Sequence, residues 1–180
     1  MQYPDCGLQE ESTHGIDIHP WQFELDQGHH FQANIWDFGG QEIYHATHQF
    51  FLTQRSLYIL VVDERKEDND FDYWLNIIEL LGKDSPVIIF QNEKSDRLRK
   101  IDERGLRGRF PNLKEIISFN LKTGRSSNPD NPKNFYDFLE LLKFQLQQLP
   151  HVGEALPKTW KTSAPTLKPI TVTILRYSNI

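Results

Sequence analysis

The sequence has a single cysteine, Cys6, so no disulfide can form within the chain. That excludes a small cross-linked scaffold and points to a reducing, cytoplasmic setting. It has no apolar run long enough to cross a bilayer, so no membrane span is expected. Its first residues, Met1-Gln2-Tyr3-Pro4-Asp5-Cys6, lack a basic stretch followed by an apolar core, so no secretory leader is expected. It also lacks a surplus of positive charge. The formal net charge is −5, which argues against a nucleic-acid partner, since such partners need a basic face. The basic run Arg97-Leu98-Arg99-Lys100 is balanced by Asp96, Asp102 and Glu103 and reads as a solvated loop and helix start.

What is present suits one ordinary domain. Of the 180 residues 38% are hydrophobic and 25% charged, a globular balance. Ile16, Ile18, Trp21, Phe23 and Leu25 alternate, with an interruption at Pro20, and Phe31, Ala33 and Ile35 alternate after the turn-like Asp26-Gln27-Gly28-His29-His30. This is a β-hairpin pattern. Three further runs, Ser56–Asp63, Pro86–Asn92 and the weaker Glu115–Asn120, are apolar on both faces. Strands of that kind belong in a parallel sheet covered by helices.

Helical periodicity separates these runs. Phe71, Trp74, Leu75, Ile78 and Leu81 share one face between Asp70 and Leu81. Asn131-Pro132 reads as a helix cap followed by proline in the first turn, and Phe135, Phe138, Leu139, Leu142 and Leu146 form the next apolar stripe. Pro150 ends it. The expected fold class is α/β, with a mostly parallel sheet flanked by helices and an N-terminal β-hairpin. Four prolines, Pro150, Pro157, Pro165 and Pro169, mark residues 150–180 as linker and tail, against a domain over 1–149. Ile170 to Leu175 has strand character, but nothing in the sequence fixes its partner.

Ligands of open parallel sheets bind beyond the carboxyl ends of the strands. Polar clusters follow three of the strands: Asp37-Phe38-Gly39-Gly40-Gln41-Glu42, Asn92-Glu93-Lys94-Ser95-Asp96 and Asn120-Leu121-Lys122-Thr123-Gly124, while Thr13-His14-Gly15 precedes the hairpin. Their chemistry is coherent for a nucleoside triphosphate with Mg²⁺. An aspartate at a strand end can hold the metal, a glycine N–H can approach a γ-phosphate, and a glutamine can orient water. His45 and His48 stand three apart on a segment of helical character, with no third ligand evident to complete a metal site.

The stretch Trp36-Asp37-Phe38-Gly39-Gly40-Gln41-Glu42-Ile43-Tyr44-His45-Ala46-Thr47-His48-Gln49-Phe50-Phe51 resembles the second switch of Roc domains, the Ras-like GTPase modules of Roco proteins. Thr13-His14-Gly15-Ile16 is similar to their first-switch threonine motif. Phe71-Asp72-Tyr73-Trp74-Leu75 resembles their next helix, and the segment from Leu149 to Trp160 resembles the junction into the COR domain. The likeness spans residues 11–160. It implies a Ras-like fold, a GTP-binding signalling switch with GTP/GDP and Mg²⁺, and as partners a COR domain, other Roco domains and a second copy. Carried over by position, Thr13 and Asp37 would sit at Mg²⁺, Gly40 at the γ-phosphate and Gln41 beside the attacking water. Asn92 and Asp96 would read guanine, and Lys122 would support the base.

The sequence departs from that family at its phosphate loop and its base motif, and Thr162 to Ile180 does not read as the start of a COR domain. Ras-like domains open with a strand and Gly-x-x-x-x-Gly-Lys-[Ser/Thr] ahead of the first-switch threonine, whereas only twelve residues precede Thr13. The sole Gly-Lys pair, Gly82-Lys83, is followed by Asp84, with Ile77 where the first glycine belongs. The strand so omitted lies at the centre of a Ras-like sheet. Its omission predicts an open gap between the strands at Phe31 and Ser56, their direct re-pairing, or pairing with another chain. The base motif, in turn, carries one residue more than Asn-Lys-x-Asp. Impaired GTP hydrolysis is therefore expected, and the alternatives are a non-enzymatic interaction module and an inactive gene fragment.

Overall fold

The computed structural model describes residues 15–25, 29–38, 51–54, 56–63, 70–93, 101–120, 123, 126, 135–149 and 170–177. Among the described residues, six strands and three helices follow one another as β1 (Ile16–Leu25), β2 (His29–Phe38), β3 (Ser56–Asp63), α1 (Asp70–Gly82), β4 (Val87–Asn92), α2 (Glu103–Arg109), β5 (Leu113–Phe119), α3 (Phe135–Gln147) and β6 (Ile170–Tyr177). The sheet order is β1-β2-β6-β3-β4-β5. Only the β1–β2 hairpin is antiparallel. This is the expected α/β class, a mostly parallel Ras-like sheet with an N-terminal hairpin.

The hairpin forms despite Pro20, because β1 is an edge strand and pairs on one side only. A proline is tolerated where no second ladder needs its N–H. Pro20 sits opposite Asn34 in an unbroken register from Ile16↔Phe38 to Leu25↔His29. His29 and His30, turn-like in the sequence, begin β2.

The centre of the sheet departs from every one of the three arrangements expected for it. The slot between β2 and β3 holds β6, parallel to both. Its register runs Ala33↔Ile170 to Phe38↔Leu175 on one side and Ser56↔Thr171 to Val62↔Tyr177 on the other. β-Branched residues at 170–174 suit a strand enclosed on two sides and two faces. Val172 and Thr173, which point to opposite faces, are each only 1% exposed. A segment that reads as tail in the sequence thus supplies one of the two central strands.

Two apolar layers flank the sheet. On one face Trp74, Leu75 and Ile78 of α1 and Leu106 of α2 pack on Phe38, Tyr58, Leu60 and Ile89. On the other, Phe138, Leu142 and Leu146 of α3 pack on Leu57, Ile59, Ile88, Phe90 and Val172. The seven-residue α2 is too short to persist alone. Asp102 caps it by accepting from the Gly105 N–H at 3.1 Å, Arg109 forks onto Asp72 of α1 at 2.8 and 2.9 Å, and Arg107 donates to the Lys114 carbonyl at 2.6 Å. No helix among the described residues is long and apolar enough to cross a membrane.

Gly82-Lys83 is a helix terminator. A Cβ on Gly82 would lie 2.8 Å from Cε2 of the buried Tyr58 ring, so only glycine fits there. The left-handed residue that ends the helix falls one position later, on Lys83 at φ 51°.

Candidate functional site

The carboxyl ends of the parallel strands meet along one rim. β4 ends there at Asn92 and β5 at Phe119, paired in register. Beyond them, hydrogen bonds tie the described residues together. The Glu93 N–H donates to the Phe119 carbonyl at 3.1 Å. The Asn120 side-chain amide donates to the Glu93 carbonyl at 2.6 Å, and its oxygen accepts from the Thr123 N–H at 2.9 Å. The Ser126 hydroxyl donates to the Glu93 carboxylate at 3.4 Å. Glu93 is buried, at 7% exposure. Asn120 therefore does two things: it closes the end of the β4–β5 ladder and shapes the turn through Thr123, as asparagines do in turns.

An aromatic cluster seats this corner. Phe90 of β4, Phe119 of β5 and Phe138 of α3 have ring centroids 4.8, 5.4 and 5.4 Å apart. They lie directly beneath the residues that end the two strands, so the rim rests on rigid packing rather than on loop structure alone.

Asp37 occupies the other end of the site. It is the penultimate residue of β2 and 7% exposed. Across the hairpin it faces the exposed Asp17, which places two carboxylates opposite one another. In the sheet Asp37 is level with Ile174 of β6, Ile59 of β3 and Ile88 of β4, four residues short of Asn92. Three strand spacings also separate the two, so they stand roughly 14 Å apart across the sheet and roughly 13 Å along it. They are two ends of one rim, not one cluster.

Of the residues picked out in the sequence, Asp37 and Asn92 thus have assigned places at strand ends. Thr13, Gly40, Gln41, Asp96 and Lys122 lie outside the described residues, as do His45 and His48. No group of three or more His, Cys, Asp or Glu side chains gathers as a metal site among the described residues. Glu93 was missed. In the sequence it reads only as the extra residue of the base motif, and nothing local signals that it is buried. Asn120 was visible as a strand-end polar residue, but its clamping geometry was not.

Several comparisons bear on this geometry. Residues 3–96, just over half of the chain, match the family model "Ras of Complex, Roc, domain of DAPkinase". The probable serine/threonine-protein kinase pats1 of Dictyostelium discoideum is 31% identical over 173 residues, covering 83% of this chain and 5% of its own length. A Roc-COR-CHAT protease from an unknown prokaryotic organism is 31% identical over 168 residues, covering 82% of this chain and 15% of its own. In structure, the chain resembles the RocCORdC portion of Methanosarcina barkeri Roco2, solved bound to GDP. The TM-score is 0.69 at 37% identity, over 82% of this chain and 43% of that one. The chain thus spans less than half the length of each of these proteins. Matched by the family model and by relatives across most of its length, it belongs to the Roc domain family.

Proposed function

We propose that this domain is the guanine-nucleotide-binding signalling switch of a larger Roco-type protein, built to work beside a COR domain. The observation that carries the proposal is the corner at Asn92. An amide residue ends β4 at the carboxyl rim of the parallel strands, next to Asn120, which bonds the Glu93 carbonyl and the Thr123 N–H. In this reading Asn92 and Asp96 read the base and Lys122 packs beside it. Asp37 and Thr13 hold Mg²⁺, Gly40 meets the γ-phosphate and Gln41 orients water. The GDP carried by the Methanosarcina barkeri relative supports the choice of ligand.

The residues present suit two of the three parts of such a ligand. Amide and carboxylate chemistry at the Asn92 corner suits a purine edge, and carboxylate oxygen at Asp37 suits a hard cation. The phosphates fare differently. A phosphate cradle needs glycine-rich backbone N–H groups and a lysine, leading out of the central strand. Here β6 fills that place and runs to Tyr177, and the chain contains no Gly-x-x-x-x-Gly-Lys-[Ser/Thr]. On this reading the base and the metal carry the binding made by these 180 residues, and hydrolysis by them alone is expected to be weak.

Titration with a fluorescent GDP analogue in Mg²⁺ tests the proposal. It predicts weak, saturable binding that excess GTP displaces and excess ATP does not, reduced about tenfold in Asn92→Ala for the loss of one base hydrogen bond. Absence of saturable binding at millimolar nucleotide, or equal displacement by ATP, would overturn it. A second reading, a non-catalytic interaction module, is favoured by β6 itself, since a strand in the phosphate-loop slot serves pairing rather than catalysis.

A further inference from the structure

We propose that Asn120 is a positioning residue for base recognition: through Glu93 it fixes the backbone from which Asn92 meets a purine base. This role rests on the guanine-nucleotide reading above and adds to it the device that holds Asn92 in place. Asn92 closes the β4–β5 register opposite Phe119, and Glu93 follows it. The Glu93 N–H extends the ladder by donating to the Phe119 carbonyl at 3.1 Å. In a continuing parallel ladder the Glu93 carbonyl would next receive a backbone N–H from the neighbouring strand. Here the side-chain amide of Asn120 supplies a donor to that carbonyl, at 2.6 Å. The same side chain accepts from the Thr123 N–H at 2.9 Å, the bond by which asparagine starts a turn. One side chain thus adds a rung to the sheet although β5 itself ends at Phe119.

Among the described residues Glu93 is held through its N–H, its carbonyl and its carboxylate, the last by the Ser126 hydroxyl at 3.4 Å. These partners all lie at or beyond the end of β5, and the bond from Asn120 is the shortest of the three. On the other side of Asn92, Phe90 is fixed by ring contacts with Phe119 and Phe138. Asn92 therefore stands between an aromatic anchor before it and a hydrogen-bonded anchor after it. An amide reads a base edge by direction, with its oxygen and its amino group each facing a matching group. Such a contact contributes only while neighbouring bonds hold its geometry close to the productive one. Release of the Glu93 carbonyl removes that hold without removing the Asn92 amide.

Two substitutions isolate the bond in question. Asn120→Ser keeps a hydroxyl that can accept from the Thr123 N–H, as serine does in turns, but it lacks the reach to the Glu93 carbonyl. Asn120→Ala loses both bonds. The two variants therefore differ at the turn and agree at Glu93. A residue that acts through Asn92 also leaves a signature in combination with Asn92→Ala: once the amide is gone, its positioning no longer matters, and the two losses do not add. A residue whose loss merely loosens the fold adds its effect in full.

The test titrates a fluorescent GDP analogue in Mg²⁺ into the 180-residue chain and its variants, each held well below its own melting temperature. Asn120→Ser and Asn120→Ala should weaken the dissociation constant alike, by about fivefold for one lost hydrogen bond. The double variant Asn92→Ala/Asn120→Ser should bind no more weakly than Asn92→Ala alone. If Asn120→Ala does not fold, Asn120→Ser carries the cycle. Unchanged affinity in Asn120→Ser, or a further fivefold loss in the double variant, overturns the role of Asn120 while leaving the base contact of Asn92 intact. Absence of saturable binding in the unsubstituted chain, or binding that Asn92→Ala leaves unchanged, overturns the base reading at Asn92 and the role of Asn120 with it.

Discussion

Asn120 bridges the ends of two parallel strands by donating a 2.6 Å hydrogen bond to the backbone carbonyl of Glu93 while accepting from the Thr123 N–H at 2.9 Å. Both halves of one side-chain amide are used, so two substitutions probe them. Asn120→Asp keeps the acceptor and sets a carboxylate against the Glu93 carbonyl. Asn120→Ala removes both bonds. Each should lower stability by about 1–3 kcal/mol in urea unfolding, with Asp no better than Ala. If Asp matched the wild type, the bond to Glu93 would be carrying no weight.

The aromatic seat of that corner should be more sensitive. Phe138 is 7% exposed and touches both Phe90 and Phe119. Phe138→Ala opens a cavity beneath the rim and should cost about 3–5 kcal/mol, whereas Phe138→Leu retains most of the volume and should cost less. Chemical denaturation midpoints check both.

The end of α1 makes a paired prediction of opposite sign. Gly82→Ala forces a methyl group to within 2.8 Å of a buried ring atom of Tyr58 and should cost about 1–3 kcal/mol. Lys83→Gly relieves a left-handed backbone at φ 51° and should raise stability by about 0.5–1 kcal/mol. Thermal melts of the two single variants should shift in opposite directions.

Tyr58 sets an alkaline limit. Burial pushes its hydroxyl up to about 12, and the hydroxyl donates to the Thr53 carbonyl at 2.6 Å. In the unfolded chain the phenol ionises near its ordinary value of about 10. Above that value the unfolded state gives up a proton that the folded state keeps. Stability from this group is therefore unchanged below pH 10 and falls between pH 10 and 12, by roughly 2–3 kcal/mol in all. Tyr58→Phe should flatten that part of the stability profile.

Much of this fold was legible because local pattern dictated it. The apolar runs at 56–63 and 86–92 and the stripes on α1 and α3 each specify an element from its own residues. α2 was not foreseen beyond a helix start near Arg97. Gly105 and Gly108 weaken its helical signal, and its stability comes from Asp102, Asp72 and the β5 carbonyls, none of which is local periodicity. β5 starts earlier than its pattern suggests, at Leu113, which is buried against α1 and α2. The place of β6 was beyond reach for a different reason. Ile170–Leu175 says "strand", but which edges it joins is decided by the vacancy between β2 and β3, a property of the other strands. In the site, position after a strand was enough to mark Asp37 and Asn92. The burial of Glu93 and its bond from Ser126 depend on contacts distant in sequence, and those were not.

Amide hydrogen exchange across residues 170–177 tests most directly whether β6 is the central strand. With parallel neighbours on both sides, the amides of Thr171 to Leu175 should exchange as slowly as those of Ile59 to Val61 in β3. Exchange of 171–175 at the rate of an unstructured peptide, while β3 stays protected, would contradict the sheet order β1-β2-β6-β3-β4-β5 and the arguments built on it.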